Sequence, residues 1–148
     1  MRLSRRQTLA FGAGTLAAAV IDLSAWAAPD EAAAEIAKFT GGKAAEAGPI
    51  TIDLPEIAEN GNTVPLSIVV DHPMTAESYV SDILVVSDGN PRPGFATFHL
   101  TPMSGRAEAA TRVRLNTTQN VIVVAKTSDG KFLTAQKQVK VTIGGCGG

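Results

Sequence analysis

The chain has 148 residues, 45% of them hydrophobic and 18% charged, with a formal net charge of -1. That is the length of one domain, too apolar for a disordered chain and without the basic excess that nucleic-acid binding needs. Its one Cys excludes an intramolecular disulfide and a zinc site built from several thiolates.

Residues 1–27 have the order of a secretory leader: a basic start (Arg2, Arg5, Arg6), an apolar run from Leu9 to Ile21, and Ala25-Trp26-Ala27 as a small-x-small cleavage site. The paired Arg5 and Arg6, preceded by Ser4 and followed by Leu9, fit a bacterial twin-arginine signal; an ordinary Sec leader is the alternative. The run is shorter than the roughly 20 apolar residues a membrane span takes, and Asp22 ends it. A periplasmic protein without a membrane anchor after cleavage is therefore expected. Removing the leader takes away three Arg and one Asp, which makes the formal charge two units more negative than -1. In an exporting compartment thiols are normally paired, so the lone Cys becomes a question about function.

Asp30 to Phe39 is a short helix candidate, with an acidic start, Lys38 near its end and Gly41-Gly42 to stop it. Ile36 and Phe39 give it one apolar side, which must dock on something for so short a helix to persist. After Gly48-Pro49 the pattern turns to period two. Strands are expected at Ile50 to Leu54, Val64 to Val70, Tyr79 to Val86, Phe95 to Leu100, Ala107 to Leu115, Val121 to Ala125 and Lys131 to Ile143. Asn60-Gly61-Asn62, Ser87-Asp88-Gly89-Asn90-Pro91 and Asp129-Gly130 read as turns. About seven short strands with turns between them predict an all-β antiparallel sandwich with a short N-terminal helix. The expected layout is a signal peptide (1–27), a helix plus β-sandwich (28–143) and a C-terminal arm (144–148).

Few side chains suggest chemistry. His72, His99, Met74 and Met103 are of copper-ligand type, but nothing in their spacing makes a site, and no metal or other cofactor is expected. No HExxH, GxSxG or P-loop pattern occurs, so no catalytic residue is assigned. Arg112 and Arg114 alternate on one strand and suit either an anion or a solvated sheet face. The end of the chain differs in kind. Gly144, Gly145, Gly147 and Gly148 flank Cys146 directly after a strand. Glycine loses the most entropy on ordering, so this stretch is expected to be a flexible arm carrying a thiol. No nearby cation or helix N-terminus in the sequence activates that thiol, which suits a carrier whose chemistry is done by others. A frayed tail with an incidental Cys is the alternative.

Val141-Thr142-Ile143-Gly144-Gly145-Cys146-Gly147-Gly148 resembles the carrier motif of the SoxY family of sulfur carriers in bacterial thiosulfate oxidation. The block Pro55 to Pro65 resembles that family's internal motif. Phe39-Thr40-Gly41-Gly42, Leu100-Thr101-Pro102, Thr111 to Leu115 and Gln119 to Gly130 fit as well, so the resemblance covers essentially the whole mature chain. It implies an immunoglobulin-like sandwich that pairs with a second subunit, SoxZ, and acts as a carrier, not an enzyme. It implies that Cys146 covalently holds thiosulfate-derived sulfur while haem-containing SoxAX, the dimanganese hydrolase SoxB and a sulfane dehydrogenase act on it in turn. Two other readings of the residues are a carrier whose terminal Gly-Gly becomes a thiocarboxylate, which would need ATP and no Cys, and a plain interaction module in which Cys146 is dispensable.

Overall fold

The computed structural model describes residues 30–145; the predicted leader and Cys146, Gly147 and Gly148 lie outside them. Helix α1 spans Asp30–Thr40. The strands are β1 (Glu46–Ala47), β2 (Ile50–Asp53), β3 (Ile57–Ala58), β4 (Val64–Val70), β5 (Val80–Ser87), β6 (Gly94–His99), β7 (Ala107–Val113), β8 (Gln119–Thr127) and β9 (Phe132–Val141). A 3-10 turn, Pro102–Ser104, links β6 to β7.

The strands form a sandwich of two sheets. One has the order β1-β9-β8-β5-β6, with β3 also on β9; the other is β2-β4-β7. The alternating residues read from the sequence supply the space between them. Ile52, Leu66, Ile68 and Val70 meet Ile83, Val85, Val121, Val123 and Val139 across the sandwich, all buried. This is the expected all-β sandwich with one short helix.

The unbroken apolar run Val121 to Ala125 has a specific cause. Val121, Val123 and Ala125 face the interior of the sandwich, while Ile122 and Val124 face the other way with Leu84, Val86 and Phe132. Ile36 and Phe39 of α1 pack on that second cluster, and the Phe39 and Phe132 rings meet edge to face with centroids 5.8 Å apart. The middle of the larger sheet is thus buried on both faces, and alternation disappears where both faces are dry.

Two departures from the expected pattern occur on the outer edge of β9. β1 pairs in parallel with Leu133 and Thr134, and β3 in parallel with Lys140 and Val141, whereas β2 between them belongs to the other sheet. The chain crosses between sheets at Gly48, where a Cβ would stand 2.7 Å from the Cβ of Leu133. Pairings of two residues have no periodicity to read, which is why sequence pattern does not reveal them. The β8–β9 hairpin turns where expected: Gly130 has φ of +84° and its amide bonds the Thr127 carbonyl at 3.0 Å.

Candidate functional site: the root of the C-terminal arm

β9 ends at Val141, and the chain continues along the end of the sandwich as far as Gly145, the last described residue. The Thr142 amide donates to the Ala58 carbonyl at 3.1 Å, and its hydroxyl donates to the Glu59 carbonyl at 3.1 Å. The Gly61 amide donates to the Ile143 carbonyl at 2.8 Å, the Leu115 amide to the Gly61 carbonyl at 2.8 Å, and the Gly145 amide to the Leu115 carbonyl at 2.9 Å. Three separate stretches of backbone therefore meet around Gly61.

Glycine is required here by close approach. A Cβ on Gly61 would lie 2.1 Å from the Leu115 carbonyl oxygen and 2.9 Å from the Gly145 nitrogen. One on Gly144 would lie 1.9 Å from the Asn116 carbonyl oxygen, and one on Gly145 would lie 2.6 Å from Cγ of Arg114 and 2.9 Å from the Gly61 oxygen. Gly144 and Gly145, expected to begin a flexible arm, are docked backbone in this structure, and Gly145 is buried.

A polar network supports the receiving segment 114–119 from behind. Asn90 is 8% exposed. Its Nδ2 donates to the Arg114 carbonyl at 2.6 Å, and its Oδ1 accepts from the Asn116 amide at 3.0 Å and from Nε2 of Gln119 at 2.9 Å. Gln119, also buried, accepts from the Gly89 amide at 3.1 Å and donates to the Thr117 carbonyl at 3.0 Å. Oδ1 of Asn116 is buried with no hydrogen-bond partner among the described residues.

Gly61 and Asn90 read locally as turn residues and Gln119 only as the start of a stretch that resembles the family, and none of the three was legible as a residue near the arm. The packing of distant loops gives all three their place at the arm. The other candidates remain apart. His72 bonds its neighbour's carbonyl, Pro73 O, at 2.8 Å, and Met74 turns inward, with Sδ accepting from the Val80 amide at 3.4 Å. His99 pairs with Asp82, Nδ1 to Oδ1 at 2.5 Å, and Met103 is 96% exposed. No group of three or more His, Cys, Asp or Glu side chains among the described residues could hold a metal ion. Arg112 is exposed and reaches Oγ1 of Thr63 at 3.4 Å, while Arg114 lies against Gly145. Among the described residues, no helix is long and apolar enough to cross a membrane.

A cleft of about 620 Å³ opens at the opposite end of β9, between the end of α1 and the β8–β9 hairpin, lined in part by Lys38, Lys43 and Lys126. At about 3.3 Å per residue along β9 it lies roughly 30 Å from the arm, so it is no part of the arm's surroundings.

Residues 36–146 match the family model of the sulfur oxidation protein SoxY. No protein of curated function matches the chain. Among solved structures, the sulfur carrier protein SoxY from Chlorobium limicola f. thiosulfatophilum is similar at 32% identity and a TM-score of 0.63, covering 76% of this chain and 97% of that one. Superoxide reductases share the fold alone. The one from Ignicoccus hospitalis is 18% identical with a TM-score of 0.57 over 76% of this chain and 92% of its own. That from Thermotoga maritima is 19% identical with a TM-score of 0.54 over 65% and 87%. With the immunoglobulin-like sandwich and a match that runs across nearly the whole described chain, the protein belongs to the SoxY family of sulfur oxidation carriers.

Proposed function

We propose that the protein is a periplasmic sulfur carrier that holds thiosulfate-derived intermediates on the Cys146 sulfur and presents them to partner enzymes. One observation carries the reading: the family match extends to residue 146, the position of the only Cys in the chain. Loading forms an S–S bond between the Cys146 sulfur and the sulfane sulfur of thiosulfate. The thiol proton goes to solvent and two electrons go to an oxidant, the haem-containing SoxAX, leaving a cysteine S-thiosulfonate. Hydrolysis by SoxB then releases sulfate, and a sulfane dehydrogenase oxidises the remaining sulfur. The chain contributes the attachment atom and its placement, and the partners supply redox and hydrolytic groups, so it acts as a carrier and not as an enzyme.

Export through the Arg5-Arg6 leader places the thiol in the compartment where these partners work. A twin-arginine route carries folded assemblies, which accommodates co-export of a SoxZ-like subunit as a heterodimer.

Replacing Cys146 with Ser tests the core of this reading. Thiosulfate-dependent respiration should be abolished while the fold and the heterodimer persist. Intact mass after incubation with thiosulfate and the partners should show a sulfur adduct on the wild type alone. Retained respiration in the Ser variant overturns the reading. Deleting Gly148 separates it from a thiocarboxylate carrier, which that deletion would destroy. Arg5→Lys with Arg6→Lys should leave unprocessed precursor in the cytoplasm.

A further inference from the structure

Helix α1 covers only part of the outer face of the larger sheet. Beyond the helix end, one row of residues crosses that face: His99, Asp82, Lys126 and Phe132 are register partners on β6, β5, β8 and β9. Ile83 and Ala125, next to Asp82 and Lys126, lie between the sheets, so Asp82 and Lys126 point outward. In the cleft of about 620 Å³, Lys126 shares the walls with Lys38 from the last turn of α1 and Lys43 from the loop that follows. Lys43 leans over the β8–β9 hairpin, its Nζ 4.0 Å from where a Cβ on Gly130 would stand.

The carboxylates around these lysines are committed elsewhere. Asp82 pairs with Nδ1 of His99 at 2.5 Å and accepts from the Ser81 hydroxyl at 2.8 Å. Asp129 accepts from the Thr127 hydroxyl and stands 3.9 Å from Nζ of Lys131. Glu35, one turn before Lys38, is directed toward β6, with Oε2 3.9 Å from the Cβ position of Gly94. Lys38, Lys43 and Lys126 take part in no ion pair among the described residues. Nor does the end of α1 need them. The Ala37 carbonyl accepts from the Gly42 amide at 3.0 Å and the Thr40 carbonyl from the Lys43 amide at 3.3 Å, so backbone closes the helix. The chain as a whole carries a formal charge of -1. Three uncompensated ammonium groups on one cleft are therefore a local concentration of positive potential, which a concave surface focuses.

We propose that this cleft is a binding site for a divalent oxyanion of the sulfate or thiosulfate type, held by Lys38, Lys43 and Lys126. The site does not rest on the carrier reading and lies at the far end of β9 from the arm. An ammonium is a compact charge with several donors on a flexible stem, so lysines from separate walls can converge on one small ion. The cleft is open, so the ion keeps part of its water shell and its affinity falls as salt rises. Where the carrier reading holds, thiosulfate and sulfate are the substrate and a product of the cycle, and the body of the carrier has a reversible, non-covalent affinity for both.

Tyr79 stands on the wall of the cleft and is the only Tyr in the chain. The only Trp, Trp26, falls in the predicted leader, so tyrosine fluorescence of the processed protein reports this site. Processed protein carrying Cys146→Ser, which removes sulfur chemistry at the thiol, is titrated with sodium sulfate and with sodium thiosulfate at an ionic strength held constant with sodium chloride. Both anions should give a saturable fluorescence change, with amide shifts confined to residues 38–43, 79–81 and 126–132. Lys43→Gln and Lys126→Gln should each weaken binding by roughly tenfold, the worth of one charge-assisted hydrogen bond. Lys43 is exposed, so its substitution spares the fold. Asp129→Asn removes a carboxylate from the cleft wall and should tighten binding. Lys140→Gln removes the same charge at the other end of β9 and should leave the affinity as it was. Shifts spread evenly over the surface, or equal weakening in Lys140→Gln and Lys43→Gln, overturn the site. So does a cleft that takes a hexaglutamate peptide and ignores both small anions, because it would then be a docking surface for an acidic chain. Retained respiration in Cys146→Ser overturns the carrier reading and leaves this site untouched.

Discussion

The Gly145 amide donates a 2.9 Å hydrogen bond to the carbonyl of Leu115, whose side chain has no solvent exposure. The root of the C-terminal arm is thereby referenced to the hydrophobic core. Leu115 cannot shift without disturbing the Val113, Val64 and Val139 cluster it belongs to, and packing at interior density resists such shifts.

Leu115→Ala should cost about 3 kcal/mol, the range for a fully buried Leu that leaves a partly collapsed cavity. Urea unfolding should show a lower midpoint with an unchanged slope. A loss below about 1 kcal/mol would mean that the site collapses freely.

Asn90→Ala should cost about 2 kcal/mol, because it strips partners from the Asn116 amide, the Arg114 carbonyl and the Gln119 side chain in a buried setting. Asn90→Asp keeps the acceptor but cannot donate to the Arg114 carbonyl. It should fall between wild type and Ala in a denaturant titration.

Phe39→Ala removes one half of the edge-to-face pair with Phe132. Since Phe39 packs on the outer cluster and not between the sheets, about 2 kcal/mol should be lost from helix docking. Helical circular dichroism should diminish before the strand signal in a thermal scan. Simultaneous loss of both would show that helix and sandwich unfold as one unit.

The Asp129 carboxyl lies below its ordinary value of 3.8, first because the Thr127 hydroxyl donates to it; desolvation opposes this, and hydrogen bonding from its own backbone amide and the charge and backbone amide of Lys131 add to the lowering. A depressed value favours the folded state at pH above 3.8, and that contribution fades as pH falls through the lowered value. Carbon-detected titration should place Asp129 below 3.8 in the wild type and bring it back up in Thr127→Ala. The side chain is exposed, so the overall acid-unfolding midpoint should barely move.

Period-two patterning in 50–54, 64–70 and 107–115 marked strands because each turns one face to the core; the seven longer strands lie where the sequence placed them, β6 among them although none of its residues is fully buried. It could not reveal β1 and β3, which consist of two residues each on the edge of β9. At Val121 to Ala125 the missing alternation records two dry faces, but only the docked helix says what covers the second.

By itself, the sequence determined the sandwich, the short amphipathic helix and the family, because periodicity and motif identity are properties of neighbouring residues. It also determined that one thiol stands near the chain end. The tertiary structure decided what the glycines before that thiol do. Gly144 and Gly145 read locally as freedom, yet Asn116, Leu115 and Gly61 come from distant loops to meet their backbone. Absence of a side chain permits both mobility and close approach, and only the position of the neighbours distinguishes them.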